Sequence, residues 1–253
     1  MSIFRNKAFC SIICSALIMG GCTSRPIPRM NSNFNAQSIG LPQQFPTPSP
    51  PSDQFIWLTQ QPLSSVVASN PSGGNWVLTV PQPAFLAAPD FLHQFLLASS
   101  EPFTTNPLPL INGQFSVRLV GPGEVSFGIR ATRGGASGFV GAGTLSVGFP
   151  GTGSVGMVLT PGVIDNLAAF SLNRFPTLGL ATYSSGQAAN FFYSLDQPNR
   201  TFNLFVGGGA VGSRSTNYGF SGAIGQLELW LFLRQPTADT RVFVNDVQMN
   251  EVR

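Results

Sequence analysis

From residue 110 onward apolar and polar positions alternate. Phe115, Val117 and Leu119 are separated by Ser116 and Arg118; Val125, Phe127 and Ile129 by Ser126 and Gly128; Leu145, Val147 and Phe149 by Ser146 and Gly148. A period of two puts one set on a buried face and the other toward solvent, so each run predicts a strand. Residues 202–206, 226–233 and 241–247 continue the pattern, and 76–80 predict an earlier strand. Turn-forming residues fall between these runs: Asn112-Gly113, Gly121-Pro122-Gly123, Gly134-Gly135, Pro150-Gly151 and Pro161-Gly162. Residues 80–110 break the alternation with prolines at 81, 83, 89, 102, 107 and 109. Inside that excursion Pro89-Asp90 offers a helix start, and Phe91, Leu92, Phe95 and Leu96 fall on one helical face. The prediction for residues 55–253 is therefore one all-β domain, an antiparallel β-sandwich or jelly-roll-like fold with one short helix.

Ahead of that domain the pattern is different. Residues 22–54 carry seven prolines and few apolar positions, which predicts a disordered Pro-rich tether. Largely extended, at about 3.1 Å per residue, such a tether would carry the domain many tens of Å from its origin. Earlier still, Arg5 and Lys7 precede a short apolar run, the layout of a secretory signal too short to span a bilayer. The run ends Met19-Gly20-Gly21-Cys22. This ending resembles the lipobox of bacterial lipoproteins, in which a signal peptide (here 1–21) is removed and the cysteine thiol receives a diacylglycerol. The resemblance implies lipidation at Cys22. Thr23-Ser24 lacks the aspartate that commonly retains such proteins in the inner membrane, which implies anchoring in the outer membrane.

Removal of the signal changes the charge. From Cys22 on there are 11 arginines, no lysine and 10 acidic residues, a net of +1, so the apparent basicity is mostly targeting sequence. Arginines scattered singly do not make the cationic cluster that phosphate backbones require, so no nucleic-acid partner is expected. Charged residues make up only 9% of the chain, and residues 134–164 have none while holding ten glycines. A surface so poor in charge is expected either to be covered by other envelope proteins or further copies of the chain, or to be solvated by hydroxyls and amides.

Little in the sequence points to catalysis. Gly151-x-Gly153-x-x-Gly156-x-Val158 matches a nucleotide-binding glycine fingerprint, but alternation after it predicts a strand where the pyrophosphate site needs a helix. No nucleotide is expected. His93 is the only histidine, placed on the predicted helix, and no Gly-x-Ser-x-Gly elbow accompanies it. One histidine and one acylated cysteine cannot build a zinc site, and no Asp-x-Asp run suggests calcium, so neither metal nor cofactor is expected. The ten carboxylates are dispersed, and none pairs by spacing.

These features predict a non-enzymatic structural lipoprotein, a subunit of an outer-membrane or envelope-spanning assembly such as a secretion-system core complex or an appendage base. The alternative is a carbohydrate-binding or adhesin module, with Trp57, Trp76, Tyr183, Tyr193 and Tyr218 as candidate sugar-stacking rings. A third reading makes the uncharged segments 139–149 and 154–161 membrane-spanning hairpins of an oligomeric pore.

Overall fold

The computed structural model describes residues 26–32, 55–58, 67–69, 76–79, 93–99, 103, 108–158, 177–208 and 212–253. In chain order the strands are β1 (Pro26–Ser32), β2 (Phe55–Leu58), β3 (Val67–Ser69), β4 (Trp76–Thr79), β5 (His93–Ser99), β6 (Leu110–Val120), β7 (Gly123–Arg133) and β8 (Ala136–Val147). They continue with β9 (Thr152–Val158), β10 (Thr177–Ser184), β11 (Ala188–Asp196), β12 (Thr201–Gly208), β13 (Gly212–Asn217), β14 (Gln226–Arg234) and β15 (Arg241–Val252). They form two antiparallel sheets packed as a sandwich. One sheet runs β13-β12-β11-β6-β15-β4-β3, with β1 also on β15, and the other runs β10-β9-β8-β7-β14-β5-β2.

The period-two pattern explains how β6 is placed. Ile111, Phe115, Val117 and Leu119 are buried, while Asn112, Gln114, Ser116 and Arg118 are partly exposed on the opposite face. At Gly121-Pro122 the chain turns and crosses to the second sheet as β7, whose Val125, Phe127, Ile129 and Ala131 face back across the core. Three rings meet at the centre. Phe115 stacks on Phe191 of β11 at 4.9 Å, and Phe127 from the opposite sheet approaches them at 5.0 and 4.7 Å. Fully burying each such side chain is worth about 1.5–3 kcal/mol, so this cluster fastens one sheet to the other.

The glycine-rich, uncharged segment belongs to this core. β8 and β9 form a hairpin around Pro150-Gly151, held between β7 and β10. Gly141 and Gly143 face inward, where the Phe202 and Phe127 rings lie against the backbone and leave no room for a Cβ. The glycine fingerprint 151–158 opens into a strand, as the alternation predicts.

Several expectations need correction. The helix predicted from Phe91, Leu92, Phe95 and Leu96 is not found where the chain is described: Phe95 and Leu96 lie in β5, opposite Leu231 and Trp230 of β14, Phe91 and Leu92 lie outside the described residues, and no helix occurs among those described. A short, continuous apolar run fits a buried strand as well as a helical face, and here the neighbouring strand decides. Asn112-Gly113 is not a turn but the interior of β6, where Gly113 makes space for the Tyr193 ring. Phe149 lies beyond the end of β8 and is 94% exposed. Residues 26–32, expected in the disordered tether, form β1, paired along the C-terminal half of β15. Cys22, the signal segment and Pro161-Gly162 lie outside the described residues.

Candidate functional site

The two sheets differ on their outer faces. On the eight-stranded sheet the pairing register aligns outward residues into rows that run across the strands. One row is Ser215, Asn203, Ser194, Asn112 and Asn250; the next is Ser213, Phe205, Phe192, Gln114 and Gln248; a third contains Asn190, Ser116 and Asn245. These residues are partly or fully exposed. With strands about 4.8 Å apart, five strands carry a lattice of amides and hydroxyls roughly 19 Å wide.

Neighbours within the lattice hold one another. The Asn203 amide donates to Ser194 Oγ at 3.1 Å, and the Asn250 amide donates to Asn112 Oδ1 at 3.2 Å. Two half-exposed rings, Phe192 and Phe205, lie side by side at 6.0 Å. A further row pairs Arg118 with Phe243, and the guanidinium sits 3.7 Å above the ring centroid. Such a cation–π contact flattens the arginine onto the sheet and keeps its stem from projecting. Within these rows Arg118 is the one charged side chain among the described residues. Each amide offers both a donor and an acceptor, and each ring an apolar face, on a rigid support.

The outer face of the other sheet is closed over a central patch, while Thr144, Ser146 and Ser154 beside it are partly or fully exposed. Phe139, Ala142, Trp230 and Phe232, which alternate with the core residues of β8 and β14, are all buried, and Trp230 stacks on Phe232 at 6.1 Å. A shallow groove of about 480 Å³ lies at one end, lined by Arg130, Arg133, Gly134, Gly135, Ser137 and Glu228 among others. Its carboxylate is already engaged: Arg130 donates to Glu228 at 3.2 Å and the Trp230 indole donates to it at 2.8 Å. Among the described residues no second carboxylate lines the groove to act with it as an acid–base pair. Among the described residues there is no group of three or more His, Cys, Asp or Glu placed to hold a metal.

Of the rings singled out from sequence, the three tyrosines do not form a site. Tyr183, Tyr193 and Tyr218 are buried, at 2%, 4% and 5% exposure, so none offers a face to a sugar. Tyr183 serves to close one end of the sandwich: its hydroxyl accepts from the Leu119 amide at 3.0 Å and donates to the Gln187 carbonyl. Burial pushes its pKa up. The Tyr193 hydroxyl is buried without a hydrogen-bond partner, and burial likewise raises its pKa. Tyr218 is pushed up to about 12 by burial, with the Asp196 carboxylate adding to the shift. Trp57 and Trp76 lie on β2 and β4, but their side chains fall outside what is described, as does that of His93 on β5 opposite Leu233.

The outward rings are phenylalanines, Phe192, Phe205 and Phe243, and not the Trp and Tyr residues that composition points to. The alternation of β11 carries the signal: with Ala189, Phe191, Tyr193 and Leu195 inside, Phe192 must face out between Asn190 and Ser194.

No family model matches the sequence, and no curated protein sequence matches it. Among solved structures the chain is similar to winged bean acidic lectin complexed with methyl-α-D-galactose, at 13% identity over 91% of this chain and 99% of that one, with a TM-score of 0.48. It is similar to lectin II from Ulex europaeus at 10% identity, covering 82% of this chain and 95% of that one, with a TM-score of 0.48. It also resembles part of a sialidase at 11% identity and a TM-score of 0.49, where 76% of this chain spans only 16% of that one. These are likenesses of sheet architecture, and nothing about ligand or activity follows from them.

Proposed function

We propose that this protein is a lipid-anchored, non-catalytic component of the bacterial outer membrane whose eight-stranded face binds an uncharged polysaccharide. One observation carries the reading: the amide, hydroxyl and phenyl lattice centred on Asn112, Gln114, Phe192, Asn203 and Phe205, with no carboxylate inside it. Sugar hydroxyls both donate and accept, which amides match without the desolvation that buried ions impose. The apolar faces of pyranose rings suit half-exposed phenyl groups. A ligand laid across paired strands meets preordered partners, so little side-chain entropy is lost on binding.

Native electrophoresis through gels containing a neutral or an acidic polysaccharide tests this. The expected result is retardation by one or more neutral polymers, abolished in the double variant Phe192→Ala/Phe205→Ala. Migration indifferent to every neutral polymer, or retardation unchanged in the double variant, would count against it.

A second reading, a structural subunit of an envelope assembly, is favoured by β10. This edge strand, TLGLATYS, carries no charge, and Thr177, Leu178 and Gly179 are exposed. Natural edges are usually guarded by charge or proline, and an unguarded one is a template for another strand. Extraction in mild detergent would then yield a large complex that a Gly179→Lys variant fails to join.

A further inference from the structure

Residues 26–32 of the segment expected to be a loose tether are built into the fold. β1 pairs with β15 from Pro26↔Val252 to Ser32↔Val247, and Met30 is fully buried in the core. Arg29 reaches the buried Glu251 carboxylate, with Nε at 3.1 Å and Nη2 at 2.9 Å from Oε2. Arg253 holds the other oxygen. The Glu251 side chain has no solvent exposure, so freeing β1 would strip a buried carboxylate of a guanidinium partner.

The sequence places Cys22 four residues before Pro26, and a chain extends at most about 3.6 Å per residue. Covalent geometry alone therefore limits the Cys22 Cα to within roughly 15 Å of the start of β1. That start marks one end of the sandwich. Val252 pairs with Pro26, Ile111 pairs with both Glu251 and Leu195, and the β11–β12 turn follows at Gln197. Gln197 joins the two sheets there, donating to the Pro109 carbonyl at 2.8 Å and accepting from the Ile224 amide at 2.9 Å. Gly225 in turn donates to the Thr132 carbonyl beside the Gly134-Gly135 turn. Exposed Arg133 and Arg200 belong to this end, together with the half-exposed Arg253. The opposite end carries the turns at Gly121-Pro122, Pro150-Gly151 and Ser185-Gly186, which is linked to Leu119. Strands of β6 length separate the two ends by about 35 Å.

We propose that β1 is a rigid strap that stands the sandwich end-on at the membrane, with Arg133 and Arg200 against anionic phospholipid headgroups and the amide lattice perpendicular to the bilayer. This rests on the lipid-anchored reading of Cys22, but not on the identity of any glycan. Headgroup phosphates attract juxtamembrane guanidinium groups within a Debye length of the surface.

The acylated chain from Cys22 onward contains no other cysteine, so a single introduced thiol can be labelled. Exposed alanines serve at each end: Ala136→Cys beside Arg133, and Ala188→Cys after the Ser185-Gly186 turn. The labelled proteins are placed in phosphatidylcholine vesicles with headgroup spin-labelled lipid, with and without phosphatidylglycerol. The probe at position 136 should be quenched several-fold more than that at 188. Phosphatidylglycerol should widen the contrast, and Arg133→Gln/Arg200→Gln should remove the widening. Equal quenching at the two positions in protein whose mass includes the diacylglycerol would overturn the strap alone. An unmodified mass would overturn the anchor and the strap together.

Discussion

The two outer faces of the sandwich are made by the same alternation and differ at their centres. On β6 and β11 the outward positions include Asn112, Gln114, Ser116, Asn190, Phe192 and Ser194, all partly exposed, with Arg118 and Asp196 as the charged ones. On β14 and β8 the outward positions include Trp230, Phe232 and Ala142, all buried. Antiparallel sheets commonly show a wet outer face, and this sandwich keeps one wet throughout its described centre while burying the centre of the other. The comparison accounts for the low charge of the chain: the open face is solvated by amides and hydroxyls, which hydrogen-bond water without ions.

The largest expected effect separates the faces by stability. Trp230→Ala should cost about 3–5 kcal/mol, as for a large buried ring, whereas Gln114→Ala at an equivalent outward position should change stability by less than about 0.5 kcal/mol. Chemical denaturation of the two variants checks this, and equal costs would erase the distinction between closed and open faces.

Next comes the core that both faces share. All three tyrosines of the chain are buried, and each has its pKa raised above the ordinary 10.0. A tyrosine raised in the folded state is ionised first in the unfolded chain. Its contribution is complete below pH 10 and is lost as pH rises toward the folded pKa, which for Tyr218 is about 12. Stability should fall above pH 10 by about 1.4 kcal/mol per pH unit for each tyrosine still protonated. Tyrosinate absorbance should appear together with unfolding. Absorbance that titrates near pH 10 in folded protein would show that the rings are open to water.

A smaller effect concerns the unpartnered hydroxyl over Gly113. Tyr193→Phe removes a buried donor that makes no hydrogen bond, so thermal denaturation should show a gain of about 1 kcal/mol. A loss of that size would mean that the hydroxyl has a partner.

Much of the fold was legible because period two is a local signal: β6, β7, β8, β14 and β15 all follow from it. Two errors share a cause, since pairing partners distant in sequence decided the outcome. Phe95 and Leu96 became strand because β14 lies beside them, and residues 26–32 became strand because β15 offered an edge and Glu251 a buried charge. Nothing local in Pro26-Ile27-Pro28-Arg29 announces that partner 222 residues away. The amide lattice was hidden for another reason. Asn, Gln and Ser in alternate positions read as ordinary solvated positions until the register sets them in rows.

Side-chain amide resonances test the central claim most directly. With the protein labelled at asparagine and glutamine, titration with a neutral oligosaccharide that retards it in gels should shift the NH₂ signals of Asn112, Gln114, Asn203 and Gln248. Signals that stay fixed there, while the ligand perturbs only the turns around Pro150-Gly151 and Ser185-Gly186, would contradict it.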